Sequence, residues 1–296
     1  MREFDFLATR PPTGLSQRGD FLYELMLNAG ACALDFYRKR KTLTISYKDS
    51  YEIFSQADVQ TEALIRKDIS SKYPSENLLG EEEGLTLQKQ SSKTSVSEAG
   101  CWVIDPIDGT NNFLTGFDYW GISVAYVKKD EILLGSVFNP VKNELFFAEK
   151  GAGAYLNGKP LRKITEEGEG FFVKKKIMGM GLGRRFSPKF QYELLEQLKK
   201  HKIDTRTFSC CSLMLCEVAK QSLVAYYEPF INSWDCLAGC LVNQEIGAVT
   251  NDFLKENNRD GLLKGNRLLV APKYLYDWLD EILPKLDLSN WTSEKC

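Results

Sequence analysis

Histidine is almost absent: His201, in the polar run Lys199-Lys200-His201-Lys202, is the only one among 296 residues. A Ser-His-Asp triad, a phosphohistidine intermediate or a histidine-rich zinc site would each depend on that one residue, whose charged neighbours mark it as a surface side chain. Cysteine is present but unpatterned. The eight cysteines include the adjacent pair Cys210-Cys211 but no Cys-x-x-Cys, so neither a zinc site nor a disulfide framework is indicated and reduced thiols are expected. The Cys-x5-Arg spacing from Cys32 to Arg38 matches a thiolate phosphatase loop only formally, because it falls in an expected helix and contains no glycine. There is no Gly-x4-Gly-Lys loop, and Gly179-x-Gly181-x-Gly183 lacks the context of a dinucleotide fingerprint. No stretch reaches the ~20 apolar residues of a membrane span, and Met1-Arg2-Glu3-Phe4-Asp5 has acids where a secretory signal has a basic segment. A cytoplasmic protein without membrane contact is therefore expected. Neither sign of charge dominates: the formal net charge is −2 with acids and bases interspersed, so no nucleic-acid partner is expected and small-molecule chemistry is favoured.

The 43% hydrophobic content of this length is enough for a large core in one domain or two packed halves. Residues 1–19 read as an arm, 20–158 as an α+β half and 159–296 as an α/β half. Leu22, Leu25, Met26, Ala29, Ala33 and Phe36 recur at helical spacing, predicting a helix from about Phe21 to Arg40 capped by Asp20. A strand near Tyr51–Gln56 leads to a helix begun by Asp58 and ended near Ser71, before Pro74. Leu85–Gly100 has no period and reads as an exposed loop. Strands follow at about Gly121–Lys128, Glu131–Phe138 and Glu144–Glu149, with a hairpin signal at Asn157-Gly158. Helices at about Pro188–Lys200 and Cys211–Gln221, a strand at Ser222–Tyr227 and a helix from Trp234 then alternate.

The most informative stretch is Trp102-Val103-Ile104-Asp105-Pro106-Ile107-Asp108-Gly109-Thr110-Asn111-Asn112. A hydrophobic strand there delivers Asp105 and Asp108 into a turn shaped by Pro106, which fixes one backbone angle, and Gly109, which is free to take positive φ. Both acids can then face one cation. The amides of Gly109, Thr110 and Asn111 would open a helix, where unsatisfied N–H groups attract an anion such as phosphate. The plainer alternative is an Asp N-cap and an ordinary turn.

With Phe113 added, this run resembles the first motif of the inositol monophosphatase family, W-x-I-D-P-[IL]-D-G-T-x-N-F. Two further family elements are matched by Gly80-Glu81-Glu82 upstream and by Ser233-Trp234-Asp235-Cys236-Leu237-Ala238-Gly239 downstream. Together they span roughly Lys48 to Gly247, most of the chain. The resemblance implies a layered α-β-α-β-α sandwich of α/β (α+β) class, with a mostly antiparallel sheet in the N-terminal half and the active site between the halves. It also implies metal ligands at Glu81, Asp105, Asp108, Asp235 and the Ile107 carbonyl, holding two or three Mg²⁺ ions for which Mn²⁺ can substitute. Glu81 and Thr110 match the residues that position and activate water for in-line attack. Asp58 matches an Asp that helps organise that water, although a helix N-cap accounts for it equally well. Gly109, Thr110 and Asn111 would bind phosphate.

For the substrate, Glu228 matches a Glu that hydrogen-bonds a hydroxyl, whereas the family's Gly-x-Ala segment aligns with the bulkier Ser209-Cys210-Cys211-Ser212. The expected activity is hydrolysis of a small polyol phosphate, inositol monophosphate first, in a lithium-sensitive homodimer. A 3′-phosphoadenosine bisphosphate nucleotidase, a fructose-1,6-bisphosphatase and a histidinol-phosphatase are alternatives within the family. A regulatory protein that retains the fold is an alternative outside enzymology.

Overall fold

Alternating apolar residues on the strands face two different cores, and that alternation builds the layers. The computed structural model describes residues 11–47, 53–88, 96–165, 177–183, 186–255 and 260–285. Helix α1 (Gln17–Arg38) precedes a two-stranded sheet of β1 (Ile45–Tyr47) and β2 (Ile53–Ser55), then come α2 (Gln56–Lys72), β3 (Asn77–Gly80), β4 (Gly84–Thr86) and a single turn, α3 (Val96–Ala99). Strand β5 (Cys101–Asp108) runs into the short α4 (Thr110–Thr115), followed by β6 (Gly121–Lys128), β7 (Glu131–Asn139), β8 (Glu144–Glu149), β9 (Gly153–Leu156) and β10 (Lys159–Pro160). The eight-stranded sheet has the order β10-β9-β8-β7-β6-β5-β3-β4, with only β3 and β5 parallel.

The second half contains β11 (Ile177–Met180), α5 (Pro188–Lys200), β12 (Asp204–Arg206), α6 (Cys211–Ala219), β13 (Ala225–Ile231), α7 (Ser233–Glu245), β14 (Ala248–Thr250), α8 (Gly261–Lys264), β15 (Asn266–Pro272) and α9 (Lys273–Ile282). Its five strands are ordered β12-β11-β13-β15-β14, with β11 parallel to both neighbours.

On β5, Trp102 and Ile104 join Leu22, Met26 and Ala29 of α1 and Ile65 and Ile69 of α2 in the outer core, while Val103 turns to the central core with Leu213 of α6 and Leu237 of α7. On β15, Leu268 and Val270 face that central core and Leu269 and Ala271 face the core beneath α5 and α9. The result is the α-β-α-β-α sandwich of the α/β class that the resemblance implies. Helix α7 lies close on the large sheet, because a Cβ at Gly135 of β7 would come within 2.6 Å of the Ala238 carbonyl.

Several element boundaries differ from expectation. Helix α1 is capped by Ser16, whose hydroxyl accepts the Gly19 amide at 3.0 Å, so Asp20 lies inside the first turn and residues 17–19 of the expected arm are helical. Helix α2 is capped by Ser55 in a capping box that places Asp58 three positions in. The tract Leu85–Gly100 contains part of β4 and all of α3. Strand β13 starts at Ala225 and continues through Pro229 to Ile231, past the expected end. His201 is half-buried rather than exposed, with its ring edge-on to Trp278 at 5.3 Å. The remaining arm residues 1–10, the start of the strand expected near Tyr51, residues 89–95 of the loop and 166–176 after the expected boundary lie outside the described residues.

Candidate active site

Strict alternation along a strand would send Asp105 and Asp108 to opposite faces. A bulge reverses this: Asp105 lies opposite Ser123 and Asp108 opposite Gly121, so β5 spends one residue more than β6 between the two pairs. Pro106 sits in that bulge, where its missing N–H costs no ladder bond. Asp235 arrives from the first turn of α7, which is tied to β6 by the Ser123 hydroxyl donating to the Trp234 carbonyl at 2.8 Å. As a result Asp105, Asp108 and Asp235 each bring a carboxylate oxygen within 4.8 Å of the others. Glu81 leaves β3 beside them: Gly80 is paired with Ile104, and the Glu81 amide donates to the Ile104 carbonyl at 3.2 Å.

The electrostatics of this cluster favour a bound cation. Asp105 is fully buried, with one oxygen accepting the Ile107 amide at 2.9 Å and Oδ2 buried with no hydrogen-bond partner. Burial, then the charges of Glu81, Asp108 and Asp235, push its carboxyl well above the usual range. Burial pushes Asp108 up to about 6, opposed by hydrogen bonds from Ser212 and Cys210, whose amide and thiol reach its Oδ2 at 2.6 and 3.2 Å. Neighbouring carboxylates 4 Å apart repel by about 4 kcal/mol per pair at an effective dielectric near 20. The orphaned Asp105 oxygen and the all-carboxylate donor set fit a hard divalent cation.

Gly109 closes the turn in the left-handed region at φ 88° and caps α4 without a side-chain bond, which leaves the first amides of that helix uncapped by any side chain. A Cβ there would stand 3.1 Å from Cys210 Cβ and 3.2 Å from the Tyr119 carbonyl, so the position is closed to side chains. Thr110 begins α4 with its hydroxyl 3.2 Å from Asp58 Oδ1 and 3.1 Å from the Ile107 carbonyl, while the Asn111 side chain is exposed. Asp58 is not the N-cap itself: it is the third residue of the capping box, and its other oxygen accepts the Ser55 amide and hydroxyl, both at 2.8 Å. Burial raises Asp58 to about 6, against the Ser55 hydrogen bonds.

The opposite wall comes from the second half. Ser209 is exposed and Cys210 and Cys211 are buried, with the Cys210 thiol also reaching the Asp108 carbonyl at 3.4 Å. Glu228 on β13 accepts the Tyr226 hydroxyl at 2.5 Å. Burial raises the Cys211 thiol, and the charges of Glu228, Asp108 and Asp235 add to that rise. Sequence reasoning missed Ser123, Ser212 and Glu62. Ser123 was reachable from the β5–β6 register, and Glu62 from its place one helical turn after Asp58 on α2.

Comparison with known proteins follows the same lines. The inositol monophosphatase family profile matches residues 15–287. Nus factor SuhB of Haemophilus influenzae is 31% identical over 264 residues, covering 87% of this chain and 92% of its own. Inositol-1-monophosphatase of Rhizobium meliloti is 32% identical over 234 residues, covering 78% and 84%. Among solved structures, the extragenic suppressor protein suhB from Bartonella henselae superposes with a TM-score of 0.76 over 90% of this chain and 98% of its own, and at 24% identity it speaks for the fold alone.

Proposed function

The chain belongs to the inositol monophosphatase family, and from that membership we propose that it is a Mg²⁺-dependent phosphomonoesterase acting on a small polyol phosphate, inositol monophosphate first. The observation that carries this reading is the convergence of Asp105, Asp108 and Asp235 around the unpartnered buried oxygen of Asp105. Glu81, Asp105, Asp108, Asp235 and the Ile107 carbonyl would hold two or three ions. Bound there, Mg²⁺ or Mn²⁺ would supply charge stabilisation for the transferring phosphoryl group and the leaving oxygen.

The chain's own groups do the rest. Asp58 and the Ile107 carbonyl both lie within reach of the Thr110 hydroxyl hydrogen, which leaves the Thr110 oxygen to accept a hydrogen bond from the attacking water and to take its proton only as its own passes to Asp58. Glu81, whose charge acts on Asp58, Asp105 and Asp108, would orient that water. The amides of Gly109, Thr110 and Asn111 would receive phosphate oxygens. Ser209, Cys210, Cys211 and Glu228 would line the alcohol side of the substrate.

Phosphate release from a panel of sugar, inositol and nucleotide phosphates with Mg²⁺ tests the proposal, and no release from any of them would overturn it. Faster turnover of 3′-phosphoadenosine 5′-phosphate than of inositol 1-phosphate would move the assignment to a nucleotidase. Lithium inhibition and a homodimer in sedimentation are expected with it. Among the described residues no helix is long and apolar enough to cross a membrane. The seven cysteines described as free thiols support a reducing, cytoplasmic setting. A second reading, a protein that works through partners as a Nus factor, is favoured by the name carried by the Haemophilus influenzae relative. Under that reading Asp105→Asn would abolish hydrolysis and leave the cellular role intact.

A further inference from the structure

Helix α2 meets the candidate site at two successive turns. Asp58 in its first turn reaches Thr110, and Glu62, four residues on along the same face, has no part in the chemistry above. Glu62 is nonetheless fully buried. Its Oε2 accepts the Glu82 amide at 2.8 Å, and its Oε1 accepts the Glu83 amide at 3.1 Å and the Arg66 Nε at 2.6 Å. Arg66 reaches further, donating to the Gly84 carbonyl at 2.5 Å and the Thr86 hydroxyl at 3.2 Å. A Cβ at Gly80 would fall 2.2 Å from Glu62 Oε1. A carboxylate–guanidinium pair therefore fills the inside of the β3–β4 turn, and the residue that opens this turn is Glu81.

Burying such a pair costs desolvation that only close, complete hydrogen bonding offsets. Here both oxygens are spent on the loop rather than on solvent. Groups that bond behind a metal ligand commonly set its affinity by fixing its orientation. We propose that Glu62, braced by Arg66, is a positioning residue for cation binding: by holding the amides of Glu82 and Glu83 it keeps Glu81 facing Asp105 and Asp108. This rests on the metal-dependent reading above.

Mn²⁺ binding to the full chain, followed by loss of the free-ion electron paramagnetic resonance signal without substrate, tests the proposal. Glu62→Gln puts an amide group against an N–H donor and should weaken Mn²⁺ binding by about 10–100-fold, and Arg66→Met should weaken it in the same direction. Ser16→Ala, which removes the cap of α1, lowers stability elsewhere and should leave the affinity at the wild-type value. Saturating Mg²⁺ should restore kcat in the Glu62 variant. Folded Glu62→Gln and Arg66→Met proteins that bind Mn²⁺ as tightly as wild type would overturn the positioning role, and if Glu62→Gln does not fold, Arg66→Met decides by the same criterion. Wild-type protein without Mn²⁺ affinity would instead overturn the metal-dependent reading itself, and the positioning role with it.

Discussion

Ser123 donates its hydroxyl to the Trp234 carbonyl at 2.8 Å from a position directly opposite Asp105 in the β5–β6 ladder. One small side chain thus joins β6, the strand paired with the one that carries Asp105, to the helical turn that carries Asp235, across the boundary between the large sheet and α7. Replacing it with alanine leaves a cavity of only one oxygen but frees that turn. Ser123→Ala should lower unfolding stability by about 1 kcal/mol and raise the Mg²⁺ concentration needed for half-maximal activity. Urea unfolding in EDTA and a Mg²⁺ titration check the two effects separately. An unchanged Mg²⁺ requirement in the folded variant would mean that the tether does not act on Asp235.

Asp105 is held against its own electrostatics: it is fully buried beside Glu81, Asp108 and Asp235 with one oxygen lacking a donor. Asparagine keeps the size, can still accept the Ile107 amide, and offers an N–H₂ to the neighbouring carboxylates. Asp105→Asn should therefore cut hydrolysis by about 10²-fold or more, yet be more stable than wild type in EDTA by on the order of 1–3 kcal/mol. Melting curves with EDTA and with Mg²⁺ should cross, since only the wild type gains from the ion. A variant less stable than wild type in both conditions would show that the cluster is not under charge strain.

The metal-free protein should also carry an inverted pH profile. Asp58 and Asp108 both rise from 3.8 to about 6 in the fold, so between those values the folded state binds more protons than the unfolded one. Their contribution is present in full below pH 3.8 and is lost as pH rises through about 6. In EDTA, thermal stability from these groups should fall between about pH 4 and 6. Saturating Mg²⁺ favours the ionised carboxylates and should reverse the slope. Differential scanning calorimetry at both pH values, with and without the ion, gives the sign directly.

The chemistry of the site was legible wherever it was written in one continuous run, and less so where it depended on backbone detail. Trp102–Asn112 announced two acids, a left-handed glycine and a helix start, and all three stand in the structure. The bulge did not announce itself, because a proline after an acid reads as the end of a strand. The same misreading shortened β13, where Glu228-Pro229 is again a bulge: Glu228 lies opposite Leu268 and Ile231 opposite Asn266. Both helix starts were displaced for one reason. An acid in the first turn, Asp20 or Asp58, looks like a cap, while the serine before it makes the bond. Glu62 could be placed in the sequence only by its position one turn after Asp58, because the amides it accepts lie twenty and more residues along the chain, which no side-chain pattern records.

Ser209 offers the most direct test of how the unusual Ser209–Ser212 segment bears on the substrate. It holds φ at 51°, in the left-handed region that costs a side chain on the order of 1–2 kcal/mol and costs glycine almost nothing. Against this, glycine loses more backbone entropy on folding, by about 0.4–1 kcal/mol. Ser209→Gly should accordingly gain up to about 1 kcal/mol in stability without moving Cys210 from Asp108, because the backbone at 209 is already in the conformation glycine prefers. It also removes an exposed hydroxymethyl group beside the buried pair Cys210-Cys211. If the serine narrows the alcohol side of the site, KM for inositol 1-phosphate should fall in this variant while kcat stays near the wild-type value. A stabilised Ser209→Gly protein with unchanged KM across the phosphate panel would place the specificity instead with groups deeper in the wall, Glu228 first.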